Sequence, residues 1–244
     1  MKYLKYYETV EEYNEDENGK RYVTSTVPCV AYINELKDDS RYNKELETLT
    51  VVYNVTSTGA TKIFNTGITK NLKEVIVDHD YVPASSLTTN YVFSEPGIHT
   101  IMYRYSELSS IPDNAFSSCP SIIHVAFSDS VESTGSYMFS NCAGVAKTKP
   151  IVFTENIETL GTATFMLNNG TNPVRYFVFL RETPPSIGDR CMSVYYNGAY
   201  RANNARIYVK YSEDHHILDS YRNAGGKWSP YTIRELNEDG SIPS

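Results

Sequence analysis

Residues 108 to 119 read Leu108-Ser109-Ser110-Ile111-Pro112-Asp113-Asn114-Ala115-Phe116-Ser117-Ser118-Cys119, and their frame, Leu108-x-x-Ile111-x-x-x-x-Phe116-x-x-Cys119, returns downstream. It recurs as Val131-x-x-Thr134-x-x-x-x-Phe139-x-x-Cys142, as Ile157-x-x-Leu160-x-x-x-x-Phe165-x-x-Asn168 and, degenerate, as Pro184-x-x-Ile187-x-x-x-x-Met192-x-x-Tyr195. The steps between Phe116, Phe139, Phe165 and Met192 are 23, 26 and 27 residues. A β-rich run follows each copy: Ile122 to Phe127, Ile151 to Phe153, Val174 to Leu180, and Ala205 to Lys210. One unit is therefore a turn with a buried aromatic plus a strand. Such a unit cannot bury its apolar side alone, whereas stacked copies share a continuous core, so Phe116, Phe139 and Phe165 are expected in one buried column. Gly135, Gly161 and Gly188 each follow the second anchor of their copy, which calls for φ > 0 or close backbone approach. Cys119 and Cys142 hold the same frame position and read as small buried hydrophobes.

The period lies in the leucine-rich-repeat range, which predicts a mainly β chain carrying a short solenoid. The strings Ile111-Pro112-Asp113-Asn114-Ala115-Phe116-Ser117-Ser118-Cys119 and Leu160-Gly161-Thr162-Ala163-Thr164-Phe165 resemble the "I-G-x-x-A-F-x-x-C" core of BspA-type leucine-rich repeats. Thr183-Pro184-Pro185-Ser186-Ile187-Gly188, then Ile207-Tyr208-Val209, a short helix and Trp228-Ser229-Pro230-Tyr231 resemble that family's C-terminal cap. The likeness covers residues 107 to 235 and implies a repeat domain over 107–244, with departures at Thr134 and Met192. The capping helix is also legible by itself. Ser212 precedes the acids Glu213 and Asp214, and Gly225-Gly226 stop the run, which predicts a helix from about Glu213 to Ala224. Ile217, Leu218 and Tyr221 then face inward while His215, Asp219 and Arg222 remain outside.

Residues 67–106 read as strand, turn and strand: a small β module or the first solenoid coils. Leu72, Val75 and Val77 lead into Asp78-His79-Asp80, and Tyr91-Val92-Phe93 precedes Ser94-Glu95-Pro96-Gly97 and an alternating run to Arg104. Gly97-Ile98-His99-Thr100-Ile101-Met102-Tyr103 resembles a "G-x-H-T-x-x-Y" strand of modules that precede such repeats in gut Bacteroides-type bacteria and their phages. Residues 1–66 form a third region. Thr9-Val10-Glu11-Glu12 fits a capping box for a short helix near residues 10–16, and Cys29 to Ile33 is a candidate to pair with Leu49 to Asn54. The order of these segments is similar to the N-terminal parts of structural proteins of crAss-like gut phages. That resemblance implies an anchoring region, with Tyr3, Tyr6 and Tyr7 as anchoring residues on a neighbouring subunit.

The 244 residues carry 22 Lys+Arg against 29 Asp+Glu, net −7, so no basic surplus exists to neutralise phosphates, and nucleic acid is not an expected partner. No stretch is apolar enough for membrane insertion. Met1 to Glu8 has two lysines with no apolar run behind them, so no secretory signal is expected. The sequence contains no G-x-S-x-G, H-E-x-x-H, C-x-x-C or Walker lysine frame, and no catalytic, cofactor or metal residue is assigned. Asp214, His215, His216 and Asp219 on the predicted helix, and Asp78-His79-Asp80, read as a solvated face and a turn rather than ligand sets. The binding candidates are Tyr195, Tyr196 and Tyr200, in the insertion of the fourth copy, because insertions in repeat proteins map to one face and tyrosine dominates the aromatic residues, 21 of them. Together with the resemblances these features imply a non-enzymatic structural protein of a bacteriophage virion. Its N-terminal region docks on other virion proteins in a homo- or hetero-oligomeric assembly, and the repeats project as a spacer or a module binding a host surface protein or glycan. The alternative is a bacterial surface adhesin of BspA-like type.

Overall fold

The described residues begin as an antiparallel sheet and continue as a parallel solenoid. The computed structural model describes residues 45–78, 80–147, 149–168, 174–202 and 204–243. Its first strands are β1 (Glu47–Val55), β2 (Ala60–Lys62), β3 (Leu72–Val77), β4 (Asp80–Val82), β5 (Asn90–Val92) and β6 (Gly97–Tyr105). β1 pairs antiparallel with β6 along its full length, from Glu47 opposite Tyr105 to Val55 opposite Gly97, and β3 and β4 continue the sheet beyond β6. β2 and β5 form a separate ribbon. Alternation along β1 sends Leu49, Val51 and Tyr53 into one core with Val75, Ile101 and Tyr103. The Tyr53 hydroxyl donates to the Ile63 carbonyl at 2.6 Å and lies 3.0 Å from the Tyr103 hydroxyl, so these buried phenols are satisfied.

The repeats contribute β7 (Ser110–Ile111), β8 (Ile122–Ala126), β9 (Ser133–Thr134), β10 (Ile151–Phe153), β11 (Thr159–Leu160), β12 (Arg175–Phe179) and β13 (Ser186–Ile187). After them come β14 (Val194–Tyr196), β15 (Ala199–Arg201), β16 (Ala205–Val209), helix α1 (His216–Arg222) and β17 (Thr232–Glu235). Each of the four β-rich runs that follow the repeat copies becomes a strand, and each copy adds a two-residue strand at its second anchor. The short strands stack in parallel in the order β13-β11-β9-β7, and the long ones in the order β10-β12-β16-β17. The result is a mainly β solenoid of about 5 turns with one helix near the C-terminus, and 7% of it is helical.

β8, the first long repeat strand, pairs antiparallel with β1 on the side opposite β6, giving the order β4-β3-β6-β1-β8. Both edges of β1 are thereby occupied, so the expected pairing of Leu49 to Asn54 with Cys29 to Ile33 is replaced. Ile63 and Phe64 join the cluster that holds Phe116, and that cluster runs unbroken from Leu49 to Ile233. A division after residue 66 therefore cuts through one sheet and one core. Tyr3, Tyr6, Tyr7, the predicted helix at 10–16 and Cys29 to Ile33 lie outside the described residues.

Inside the solenoid the phenylalanine column forms as expected. Phe116 and Phe139 stack with ring centroids 5.1 Å apart and planes 10° apart, and Phe139 and Phe165 at 5.6 Å and 17°. A second column, not read from the frame, runs along the long strands through Phe127, Phe153 and Phe179, at 5.6 and 4.6 Å. It ends on Trp228, 5.3 Å from Phe179. Cys119, Cys142 and Cys191 are buried free thiols within the same core.

Adjacent coils are joined by hydrogen bonds that repeat with the frame. Gly135, Gly161 and Gly188 donate their N–H groups to the carbonyls of Ile111, Thr134 and Leu160, at 2.7, 2.9 and 2.7 Å. None of the three has positive φ; close approach is what selects glycine. A Cβ on Gly161 would stand 2.4 Å from the Gly135 carbonyl carbon, and one on Gly188 would stand 2.2 Å from the Thr162 nitrogen. Two positions further on, Asn114, Tyr137, Ala163 and Arg190 all adopt left-handed backbone, φ 57°, 57°, 54° and 57°. Non-glycine residues are strained there by about 1 kcal/mol each. Bonds such as Tyr137 N–H to the Thr162 carbonyl, 2.8 Å, offset that strain.

The two ends of this ladder are finished differently. In the first coil the position of Gly135 is taken by Pro112, which has no N–H to leave unpaired. At the far end, the Pro185 carbonyl occupies the place from which Ser109, Glu132 and Glu158 accept bonds from the next coil, and it accepts instead from the Trp228 indole N–H at 3.0 Å. α1 is shorter than its sequence suggests. The Glu235 carboxylate accepts from the Ser212 N–H and hydroxyl and contacts His215, holding residues 212–215 as a turn, so the helix starts at His216 behind a left-handed His215. Ile217, Leu218 and Tyr221 close the end of the core as expected, and Gly225 and Gly226 follow with φ of 62° and 51°. No helix among the described residues is long and apolar enough to cross a membrane.

Candidate functional site

The fourth-copy insertion folds as a hairpin rather than a loop. Asn197 and Gly198 sit between two tyrosine-bearing runs, and an Asn-Gly pair favours the type I′ turn, whose two central residues both need positive φ. They have φ of 49° and 77°. β14 and β15 consequently pair Tyr195 with Tyr200 and Tyr196 with Ala199. The base of the hairpin is fixed to the third coil by a bridge between Leu167 and Val194, and the Tyr195 N–H donates to the Leu167 carbonyl at 2.8 Å.

Strand alternation puts Tyr195 and Tyr200 on one face and Tyr196 on the other. The rings of Tyr195 and Tyr200 lie 4.9 Å apart, tilted by 59°, and both residues are substantially exposed, at 37% and 40%. Of the three tyrosines singled out by the insertion, two are thus brought together as a surface, and Tyr196 is half-buried apart from them.

Beside this pair the solenoid supplies charged groups that the motif search passed over. The Arg190 guanidinium carbon lies 4.0 Å from the centroid of the Tyr200 ring. Lys227, following α1, pairs with Asp189 at 3.0 Å. Together with Ser193 and Tyr231 these residues line an open cleft of about 420 Å³. The Tyr231 hydroxyl accepts from the Met192 N–H at 3.2 Å, and burial holds its pKa above the ordinary phenol value. Arg190 occupies the frame position of Asn114, Tyr137 and Ala163, which are half-buried, exposed and buried in turn, so the frame does not mark it as a surface group.

The acidic and histidine clusters resolve into local ties. Asp78 accepts from the Thr100 N–H at 2.9 Å and contacts His99 at 2.8 Å, which fastens the β3–β4 turn to β6. His216 bonds to Asp214, and that bond holds the exposed imidazole above its ordinary pKa. His215 instead meets Glu235 at 2.6 Å; burial pushes that carboxyl up, but bonds from Ser212 and His215 outweigh it and leave it below the usual value. Among the described residues no group of three or more potential ligands converges on a metal position.

The family model for the BspA type leucine-rich repeat region matches residues 34–172, in six copies. The match begins upstream of the four copies read from the frame and takes in β1 to β11. No curated protein and no solved structure matches the chain. A leucine-rich-repeat solenoid is typically a non-enzymatic scaffold for protein–protein interaction or adhesion. With the repeated frame, the stacked ladders and the family match in agreement over more than half its length, the chain belongs to the BspA-type leucine-rich-repeat family.

Proposed function

We propose that this protein is a non-enzymatic protein-binding module whose contact surface is the β14–β15 hairpin. The observation that carries this reading is the exposed Tyr195–Tyr200 pair on a hairpin bonded at its base to the rigid ladder. Tyrosines held in place offer large amphipathic contact area with little entropy left to lose, and they dominate interface hot spots. The test is a full-length variant carrying Tyr195→Ala and Tyr200→Ala, compared with wild type for affinity toward the partner found by crosslinking from the hairpin. A loss of roughly tenfold or more is expected, with circular dichroism unchanged. Undiminished affinity would refute the assignment.

The finer proposal is that the module is carried on a bacteriophage particle, with the N-terminal region and Tyr3, Tyr6 and Tyr7 toward neighbouring subunits. Its support is the resemblance of the N-terminal segments to those of structural proteins of crAss-like gut phages, and of Gly97 to Tyr103 to a module that precedes such repeats in gut Bacteroides-type bacteria and their phages. Crosslinking mass spectrometry on purified particles decides it: neighbours crosslinked to residues 1–44 are expected. Absence of the chain from particles, with presence on a bacterial surface, moves the assignment to an adhesin.

A further inference from the structure

We infer that the cleft beside the hairpin seats a carboxylate from an acidic segment of the partner protein, gripped by Arg190 and flanked by the Tyr195–Tyr200 pair. This rests on the hairpin being the contact surface and names the chemistry of what it contacts. The first ground is the state of Arg190. Its guanidinium carbon lies over the Tyr200 ring, 4.0 Å from the centroid, and it makes no ion pair among the described residues. A guanidinium held over a ring by cation–π attraction keeps N–H donors that can receive a carboxylate through two parallel bonds.

The second ground is charge. The chain as a whole is acidic, net −7, yet the cleft holds Arg190 and Lys227 against the single carboxylate of Asp189. The Lys227–Asp189 pair is exposed on both sides, at 55% and 71%, so it is held weakly and Lys227 can turn to a second anion at little cost. A local cationic surplus on an acidic protein selects acidic partners.

A protein segment fits better than an acidic sugar. One face of Tyr200 is covered by Arg190, and the other ring is tilted by 59°, so the pair does not offer the open flat platform on which a pyranose stacks. The angle between the rings instead forms a notch for an aliphatic or aromatic side chain next to the acid. Asp189, Arg190 and the hairpin belong to the fourth coil and its insertion, while Lys227 and Tyr231 reach the cleft from the C-terminal cap.

The probe is the synthetic peptide acetyl-Glu-Leu-Glu-Leu-Glu-amide, titrated into the isotope-labelled full chain and followed by amide chemical shifts. Saturable shifts confined to residues 189–202 and 227–231 are expected, absent for the Gln-Leu-Gln-Leu-Gln counterpart. Arg190→Gln should weaken binding roughly tenfold, as for a lost charged hydrogen bond. Arg190→Lys should recover less than half of that loss in logarithmic terms, because charge without the planar fork is insufficient. Full recovery by lysine, equal binding of the glutamine peptide, tighter binding of an oligogalacturonate, or no saturable shift up to about 5 mM each overturns the inference. If Tyr195→Ala with Tyr200→Ala still abolishes partner binding while Arg190→Gln leaves it intact, the acidic cleft fails and the hairpin reading stands.

Discussion

Replacing Phe139 by alanine tests the solenoid at its centre. The ring is buried between Phe116 and Phe165, at 5.1 and 5.6 Å, with both neighbours nearly parallel to it. Truncation withdraws about 100 Å² of apolar surface from the core, roughly 2.5 kcal/mol. It also deletes two aromatic contacts of about 0.5–1.5 kcal/mol each. The space cannot close, because the coils are pinned on both sides of the residue: Phe116 N–H bonds to the Met138 carbonyl at 2.9 Å and Phe139 N–H to the Thr164 carbonyl at 2.7 Å. The expected loss is therefore about 4 kcal/mol, within the range of buried Phe→Ala changes. Urea unfolding read by far-UV circular dichroism gives the overall value. The single tryptophan, Trp228, packed on Phe179 at the C-terminal end, reports the last coil separately. Both signals should shift together if the coils unfold as one unit. A loss below about 1 kcal/mol would mean that Phe139 is not held between two rings, and the frame would be misread.

Gly161→Ala should cost about 3 kcal/mol, since its Cβ meets the backbone of the preceding coil, whereas Gly226→Ala, facing open space, should cost only the left-handed strain of about 1 kcal/mol; thermal melts distinguish the two. Burial, with Lys149 nearby, lowers the His124 pKa from 6.5 to about 3. The folded state thus binds the proton less readily than the unfolded chain, so the contribution of a neutral His124 is complete above pH 6.5 and is lost as pH falls toward 3. His124→Gln should flatten stability against pH in that window; an unchanged slope contradicts the burial argument. Burial also pushes the thiols of Cys119 and Cys191 up to about 12, and that of Cys142 upward. Iodoacetamide at mildly alkaline pH should leave all three unlabelled until the protein is unfolded, and a native Cys119 to Cys142 crosslink found by mass spectrometry would contradict this.

The frame made the solenoid legible because each anchor does the same job in every coil: Phe116, Phe139 and Phe165 differ in neighbours but not in role. The long strands were legible for the ordinary reason that β-branched and aromatic residues cluster in them. The short strands were not, since two residues such as Ser133 and Thr134 carry no periodicity, and only the ladder they join defines them. β1 was seen as a strand, but its partners were not. Pairing of Val51 with Ile101 and Val125 joins residues far apart in sequence, and propensity says nothing of such partners. The length of α1 was misjudged because a carboxylate on β17 competes for Ser212 and His215. At the candidate site, Tyr195 and Tyr200 were found by composition and insertion. Arg190 and Lys227 were missed because one belongs to the repeat and the other to the cap, and folding alone brings them to one cleft.

Pro112 and Trp228 give the array a fixed beginning and a fixed end, and this determines how it can grow. A unit added before Pro112 would find no N–H at the glycine position, and one added after Pro185 would have to displace the indole. Lengthening is open only from within. Tandem duplication of residues 135–160, whose 26 residues equal the step from Phe139 to Phe165, would carry the ladder glycine Gly135, the column ring Phe139 and one long strand into register. Each such event would move the hairpin outward by about 4.8 Å while leaving both terminal structures intact. The solenoid is in that sense an adjustable arm, with its reach written in copy number and its hand unchanged.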